Sequence, residues 1–233
     1  MSDLSLVIGN KNYSSWSMRP WVLMTQLGID FQEVMLKFHS KEWDANIDRW
    51  SPSKLVPVLW RGNQAVWDTL AIMETLHEWF PAKSVWPRDD EARAFARSIA
   101  SEMHSGFRDL RTDMPMNIRA AHPGKGRNPG VDANVQRIER LWTQARERYG
   151  RGGDFLFGDF SAADAMFAPV VMRFKTYAMP LSPQSARYCD AMRAARGMRL
   201  WIEGALAEKE FVAEDEPYAS SREPQPVGNP RAE

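Results

Sequence analysis

Ser14, Ser15 and Ser17 cluster where an apolar run, Leu4–Ile8, gives way to a helical pattern through Trp21, Val22, Leu23, Met24 and Leu27. The first turn of a helix presents unpaired backbone N–H groups and a partial positive charge, so it holds anions. A serine at such a place either caps the helix, which is common, or donates a hydrogen bond to a bound thiolate. Tyr13, one residue upstream, is a rival hydroxyl. Arg19 falls early in the helix, an unfavourable place for a cation. Its expected partner is a buried acid or a ligand.

Three further features support a binding site. An X-Pro bond at a strand start, Val56-Pro57, can be cis. It then leaves the Val56 N–H and C=O open to an extended peptide-like ligand. Asp68-Thr69 opens a helix with a carboxylate, a hydroxyl and free N–H groups, which suits a ligand carrying both carboxylate and ammonium. Lys54 stands before the proline strand as a partner for a second carboxylate. Together they suit a small zwitterionic peptide with carboxylates at both ends. Each also has a plain structural reading: Pro57 as a trans edge proline, Asp68-Thr69 as an N-cap, Lys54 as a solvated side chain.

The elements that position these residues follow from periodicity. Leu4–Ile8 reads as a strand, Pro20–Leu27 as a helix stopped by Gly28, and Phe31–Leu36 as a strand parallel to the first. Glu42–Trp50 reads as a helix. Val56–Trp60 and Ala65–Trp67 read as a hairpin around Gly62-Asn63. Asp68 then caps a helix through Phe80. Residues 1–80 thus form a βαβ-α-ββα domain, with 81–87 as a linker. Beyond it, Glu91–Leu110, Asp132–Tyr149, Ser161–Tyr177 and Ser185–Glu208 read as helices of a domain spanning 88–213. The loop 124–130 and the turn 150–153 are glycine-rich. Residues 214–233, charged and proline-rich, are expected to be disordered.

Composition narrows the function classes. The 233 residues carry 30 basic and 30 acidic side chains, which argues against a bulk electrostatic nucleic-acid binder. Ten tryptophans suggest filled cores, an aromatic site or an apolar interface. One cysteine, Cys189, permits no internal disulfide, and no Cys/His cluster is available for a metal. Cys189 is expected to pack as a small apolar residue. No signal peptide and no membrane-length apolar run is read, so the expectation is a cytoplasmic protein.

This order of elements, with Val56-Pro57 before the third strand and Asp68-Thr69 opening the next helix, resembles a cytosolic glutathione transferase. Gly158–Asp164 resembles that family's capping segment, in which Ser161 caps a buried helix and Asp164 takes its third position. The Ser14-Ser15 pair is most similar to the serine-type zeta branch, which includes maleylacetoacetate isomerases. Those carry Ser-Ser-Cys, where this chain has Trp16.

The resemblance implies an α/β plus all-α fold: a thioredoxin-like domain, then an all-helical domain. It implies glutathione as co-substrate, no metal, a small electrophilic partner and a homodimer. Ser14 would hydrogen-bond the glutathione sulfur and stabilise the thiolate, Ser15 and the backbone N–H groups of the turn would assist, and Tyr13 and Trp16 would stand beside them. Val56, with Pro57, would pair with the cysteinyl backbone. Asp68 and Thr69 would hold the γ-glutamyl end, and Lys54 the glycyl carboxylate. The acceptor wall would come from His104, Phe107, Arg111 and Met116. Arg111 would attract an acidic acceptor, and the proline-broken segment Met114–Asn117 would form a site edge. Conjugation of glutathione to an electrophile is the activity expected first. A glutathione-dependent cis–trans isomerase and a non-catalytic binding module are the alternatives.

Overall fold

A computed structural model describes residues 3–219. Its first part runs β1 (Leu4–Ile8), α1 (Ser15–Leu27), β2 (Gln32–Met35), α2 (Lys41–Trp50), β3 (Val58–Arg61), β4 (Gln64–Val66) and α3 (Thr69–Trp79). The four strands form one mixed sheet in the order β2-β1-β3-β4. β1 pairs parallel with β2, with Leu6 opposite Glu33, and antiparallel with β3, with Leu6 opposite Leu59. This is the expected thioredoxin-like arrangement.

Alternation along β1 decides the layering. Leu4, Leu6 and Ile8 join the main core, while Val7 points into a smaller cluster with Leu36, Ile47 and Val58. α2 covers that second face through Ile47. Two faces buried by helices on opposite sides is the usual layering of such a domain.

α1 is longer than its apolar pattern indicated, because Ser14 takes the N-cap and the helix starts at Ser15. It ends at Gly28, whose φ of +62° suits glycine. Pro20 lies inside it and lacks an N–H, so the Trp16 carbonyl loses its helical donor. The Thr69 hydroxyl supplies a substitute, donating to Trp16 O at 3.4 Å.

The second part is all-helical: α4 (Asp90–Ser105), α5 (Arg108–Asp113), α6 (Pro129–Tyr149), α7 (Ala162–Thr176), α8 (Pro183–Ala194) and α9 (Arg196–Ala207). Two expected helices are each broken in two. Glu91–Leu110 is interrupted at Gly106 and Phe107, where Phe107 adopts φ +58°. Ser185–Glu208 is interrupted at Ala195, whose backbone is extended. α7 is buried on nearly every side. Its start is fixed by Asp164, which accepts from Ser161 N, Ser161 Oγ, Leu156 N and Tyr188 Oη.

One continuous core joins the two parts, because α1 packs on both α7 and α9. A Cβ on Gly197 in α9 would lie 2.6 Å from Val22 O, so only glycine permits that approach to α1. The segment expected to be disordered from 214 is instead ordered through Ala219. A single 3-10 turn spans Ala213–Asp215, and Tyr218 Oη donates to Asp113 O at 2.7 Å. The rest of that expectation, residues 220–233, lies outside the described residues.

Candidate active site

A cleft of about 470 Å³ opens between the two parts. The N-terminal side supplies Tyr13, Ser14, Ser15, Trp16, Phe38, Trp43, Leu55 and Val56. The helical side supplies Arg111, Thr112, Pro115, Met116 and Arg173, and the C-terminal segment supplies Asp215.

The serine turn is held from several directions. Glu208 accepts from the backbone N–H groups of Lys11 (2.6 Å) and Asn12 (3.0 Å). Asn12 Oδ1 accepts from Arg119 N, and Asn12 Nδ2 donates to Asn117 Oδ1. Ser14 is buried and directs its hydroxyl to Ser17 Oγ at 2.7 Å; Ser17 Oγ in turn accepts from Gly9 N. Ser14 Oγ also accepts from Ser17 N at 3.4 Å, so it caps α1. Ser15 is more exposed, and its hydroxyl has no partner among the described residues. The Trp16 N–H, in the first turn of α1, is likewise unpaired there. An unoccupied hydroxyl and an unpaired N–H at a helix N-terminus can both donate to an anion.

Tyr13 is the weaker hydroxyl. It donates to Glu216 Oε1 at 2.7 Å and accepts from Arg119 Nη2 at 2.9 Å. Burial, then the bond to Glu216, pushes its phenol well above the usual range.

Trp16 lies between two cations. The Arg19 guanidinium stands 4.2 Å and that of Arg111 4.5 Å from its ring centroid, and the His104 ring meets it edge-on. No acid contacts Arg19 among the described residues. Its Nε donates to Met166 O at 3.0 Å, and its buried Nη1 is unpaired. Arg173 repeats the pattern, with Nε on Met114 O at 2.8 Å and Nη1 unpaired. Burial, reinforced by neighbouring guanidinium charge, holds Arg19 well below its ordinary range and Arg173 at about 10. Burial lowers Arg111 as well. Among the described residues none of the three arginines forms an ion pair. Excess positive charge therefore gathers beside the serine turn.

Val56-Pro57 is cis, and Val56 precedes β3 without joining its ladder. Pro57 is buried beneath it. Other expected site residues lie elsewhere. Asp68 occupies the N-cap of α3 but makes no capping bond; its carboxylate lies 3.5 Å from His104 Nε2. Thr69 is fully buried, with its hydroxyl turned to Trp16 O, so that hydroxyl supports the turn rather than facing a ligand. Lys54 pairs with Asp48 on the open surface. Phe107 is buried at the break between α4 and α5 and does not line the cleft. His104 faces Asp68 and Trp16 instead of the cleft wall.

The cleft also holds residues that sequence reasoning missed. Phe38 and Trp43 follow β2 and open α2, where aromatics read as core. Arg173 sits in a helix whose apolar pattern masks a charge. Asp215 belongs to the segment expected to be disordered. The signal available for Arg173 was a lone arginine within an apolar helix.

Comparison with known proteins agrees with this geometry. Residues 13–79 match the family model described as the glutathione S-transferase N-terminal domain, and residues 128–204 match its C-terminal domain. A probable maleylacetoacetate isomerase of Caenorhabditis elegans is 25% identical over 187 residues, covering 78% of this chain and 85% of that protein. Maleylacetoacetate isomerase of Rattus norvegicus is 24% identical, covering 73% of this chain and 78% of that protein. Among solved structures, a glutathione transferase homolog from Burkholderia gl BGR1 with bound glutathione superposes with a TM-score of 0.66 at 23% identity, covering 87% of this chain and 97% of that one. A Tau class enzyme of Mangifera indica gives 0.63 at 17% identity, covering 87% and 96%. With both domain models matched in order and the corresponding fold around a serine turn, the chain belongs to the glutathione S-transferase family.

Proposed function

We propose that this protein joins the thiolate of glutathione to a carbon of a small, acidic electrophile. The observation that carries this reading is one cleft lined by both the serine turn and two cations, Arg111 and Arg173, that form no ion pair among the described residues. Glutathione lies extended along Val56, with its sulfur at the first turn of α1. The Ser15 hydroxyl and the Trp16 N–H donate to that sulfur. A thiol of ordinary pKa near 8.5 must approach neutrality, which needs about 1–3 kcal/mol. One charge-assisted hydrogen bond and a helix N-terminus are of that size. The protein brings no nucleophile of its own, and positioning supplies a further part of the acceleration.

Asp68 takes the ammonium of the γ-glutamyl end, and the α3 N-terminus its carboxylate. Lys54 reaches the glycyl carboxylate by leaving Asp48, a small loss because that pair is exposed. A homodimer is part of the same reading.

A second reading, glutathione-dependent cis–trans isomerisation of an unsaturated acid, is favoured by the two isomerase relatives and by the arginines at the cleft. Calorimetry with glutathione tests the shared part. Absence of binding leaves only a non-catalytic module. Turnover of a maleylacetone-type acid separates the two reactions, and no isomerisation there removes the second.

A further inference from the structure

We propose that Asp215 is the proton carrier of the reaction: it takes the proton from the glutathione thiol and returns it to the acceptor carbon. This rests on the glutathione-dependent reading above.

Among the described residues that line the cleft, Asp215 is the single carboxylate. The other titratable groups there are unsuited to the task. Tyr13 is committed to Glu216 and Arg119, and Arg111 and Arg173 remain cations. The segment that carries Asp215 is fixed at both ends. Glu208 accepts from Lys11 N and Asn12 N, Tyr13 Oη donates to Glu216, and Tyr218 Oη donates to Asp113 O. The same bonds that hold the serine turn thus present Asp215 across from it.

The charged groups acting on Asp215 come from two elements. Arg173 on α7 favours the carboxylate, whereas Glu214 and Glu216 in its own segment oppose it. Tyr177 on α7 also lies within its field. Burial is the largest influence, and it places the group at about 6. A carrier near neutrality both accepts and releases a proton readily.

The step balances without another reactant. The S–H bond breaks, and its proton goes to the Asp215 carboxylate. The S–C bond forms at the β-carbon of a conjugated carbonyl acceptor. The π pair moves onto the carbonyl as an enolate, whose charge Arg111 and Arg173 stabilise. The enolate α-carbon then takes the proton from Asp215, which regenerates the carboxylate. Sulfur and hydrogen have been added across the double bond.

The test compares two acceptors with the full-length protein. Conjugation to an α,β-unsaturated ketone protonates a carbon; displacement of chloride from chlorodinitrobenzene does not. Asp215→Asn is expected to lower kcat/KM for the ketone about 100-fold, the scale of general acid–base catalysis. The aryl chloride rate, which draws only on the first of the two proton transfers, should fall less than the ketone rate, and the glutathione affinity should hold. Asp215→Glu is expected to restore part of the ketone rate. Equal losses on both acceptors would make Asp215 a structural strut and overturn the proposal. No loss on either, or no ketone turnover by the unaltered protein despite glutathione binding, overturns it too. Failure of the unaltered protein to bind glutathione removes the broader reading, and the proposal with it.

Discussion

Ser14 directs its proton to Ser17 and caps α1, whereas the Ser15 hydroxyl has no partner among the described residues, so two adjacent serines should respond differently to removal. Ser14→Ala is expected to cost about 1 kcal/mol of stability, the usual loss at an N-cap. Ser15→Ala should leave stability intact and raise the pKa of bound glutathione by about one unit, a tenfold loss of thiolate. Thiolate absorbance across pH, in the presence of each variant, measures this directly. Equal shifts for both variants would contradict the assignment. Arg173→Met removes a buried charge that forms no ion pair among the described residues, which offsets the loss of its bond to Met114 O, so stability should hold. Its KM should increase about tenfold for an acidic acceptor, the size of one charge-assisted contact, and stay constant for a neutral one. Ser14, Ser15 and Val56 were legible in the sequence because each marks an element boundary. Arg173 was not, because burial on a helix hides which face its charge reaches.

At the level of elements, apolar periodicity gave the order of strands and helices, and Gly28 and Gly62 marked the expected ends. It failed where a break is set by tertiary packing. Phe107 reads as helix interior, yet it adopts φ +58° so that α5 can turn toward the cleft. Ala195 carries no breaking signal at all, and its extended backbone follows from packing α9 on α1. The capping segment was legible because Ser161 and Asp164 stand three residues apart before an apolar run. Asp164→Ala orphans four donors, and a loss of about 3 kcal/mol is expected in chemical denaturation. Asp164 also has a pH signature. Burial raises it from 3.8 to about 6, so within that window the folded state holds more protons than the unfolded chain. Its contribution therefore weakens as pH rises from about 4 to about 6. Denaturation of Asp164→Asn across that window should lack this slope; an unchanged slope would assign it elsewhere.

At the scale of the whole molecule, the C-terminal segment and the serine turn are one assembly. Ending the chain after Ala207 leaves Lys11 N and Asn12 N without their acceptor and takes the Glu208 and Glu210 carbonyls from Arg119, which keeps only Tyr13 Oη for its side chain. Such a truncation is expected to lower Tm by several degrees and to weaken glutathione binding, both measurable in one thermal-shift titration. The sequence concealed this role, because a segment held by hydrogen bonds to distant backbone leaves no local pattern. The shared core has a further consequence for anyone seeking to redirect the enzyme. Arg19 reaches from α1 to the Met166 carbonyl in α7, and Trp16 stacks against both Arg19 and Arg111. Grafting the helical half of a relative onto these first eighty residues, as a shortcut to a new acceptor, would also exchange the scaffold beneath the serine turn. Chimeras should therefore keep α7 with α1 and vary only the cleft-facing positions around Thr112, Pro115 and Met116.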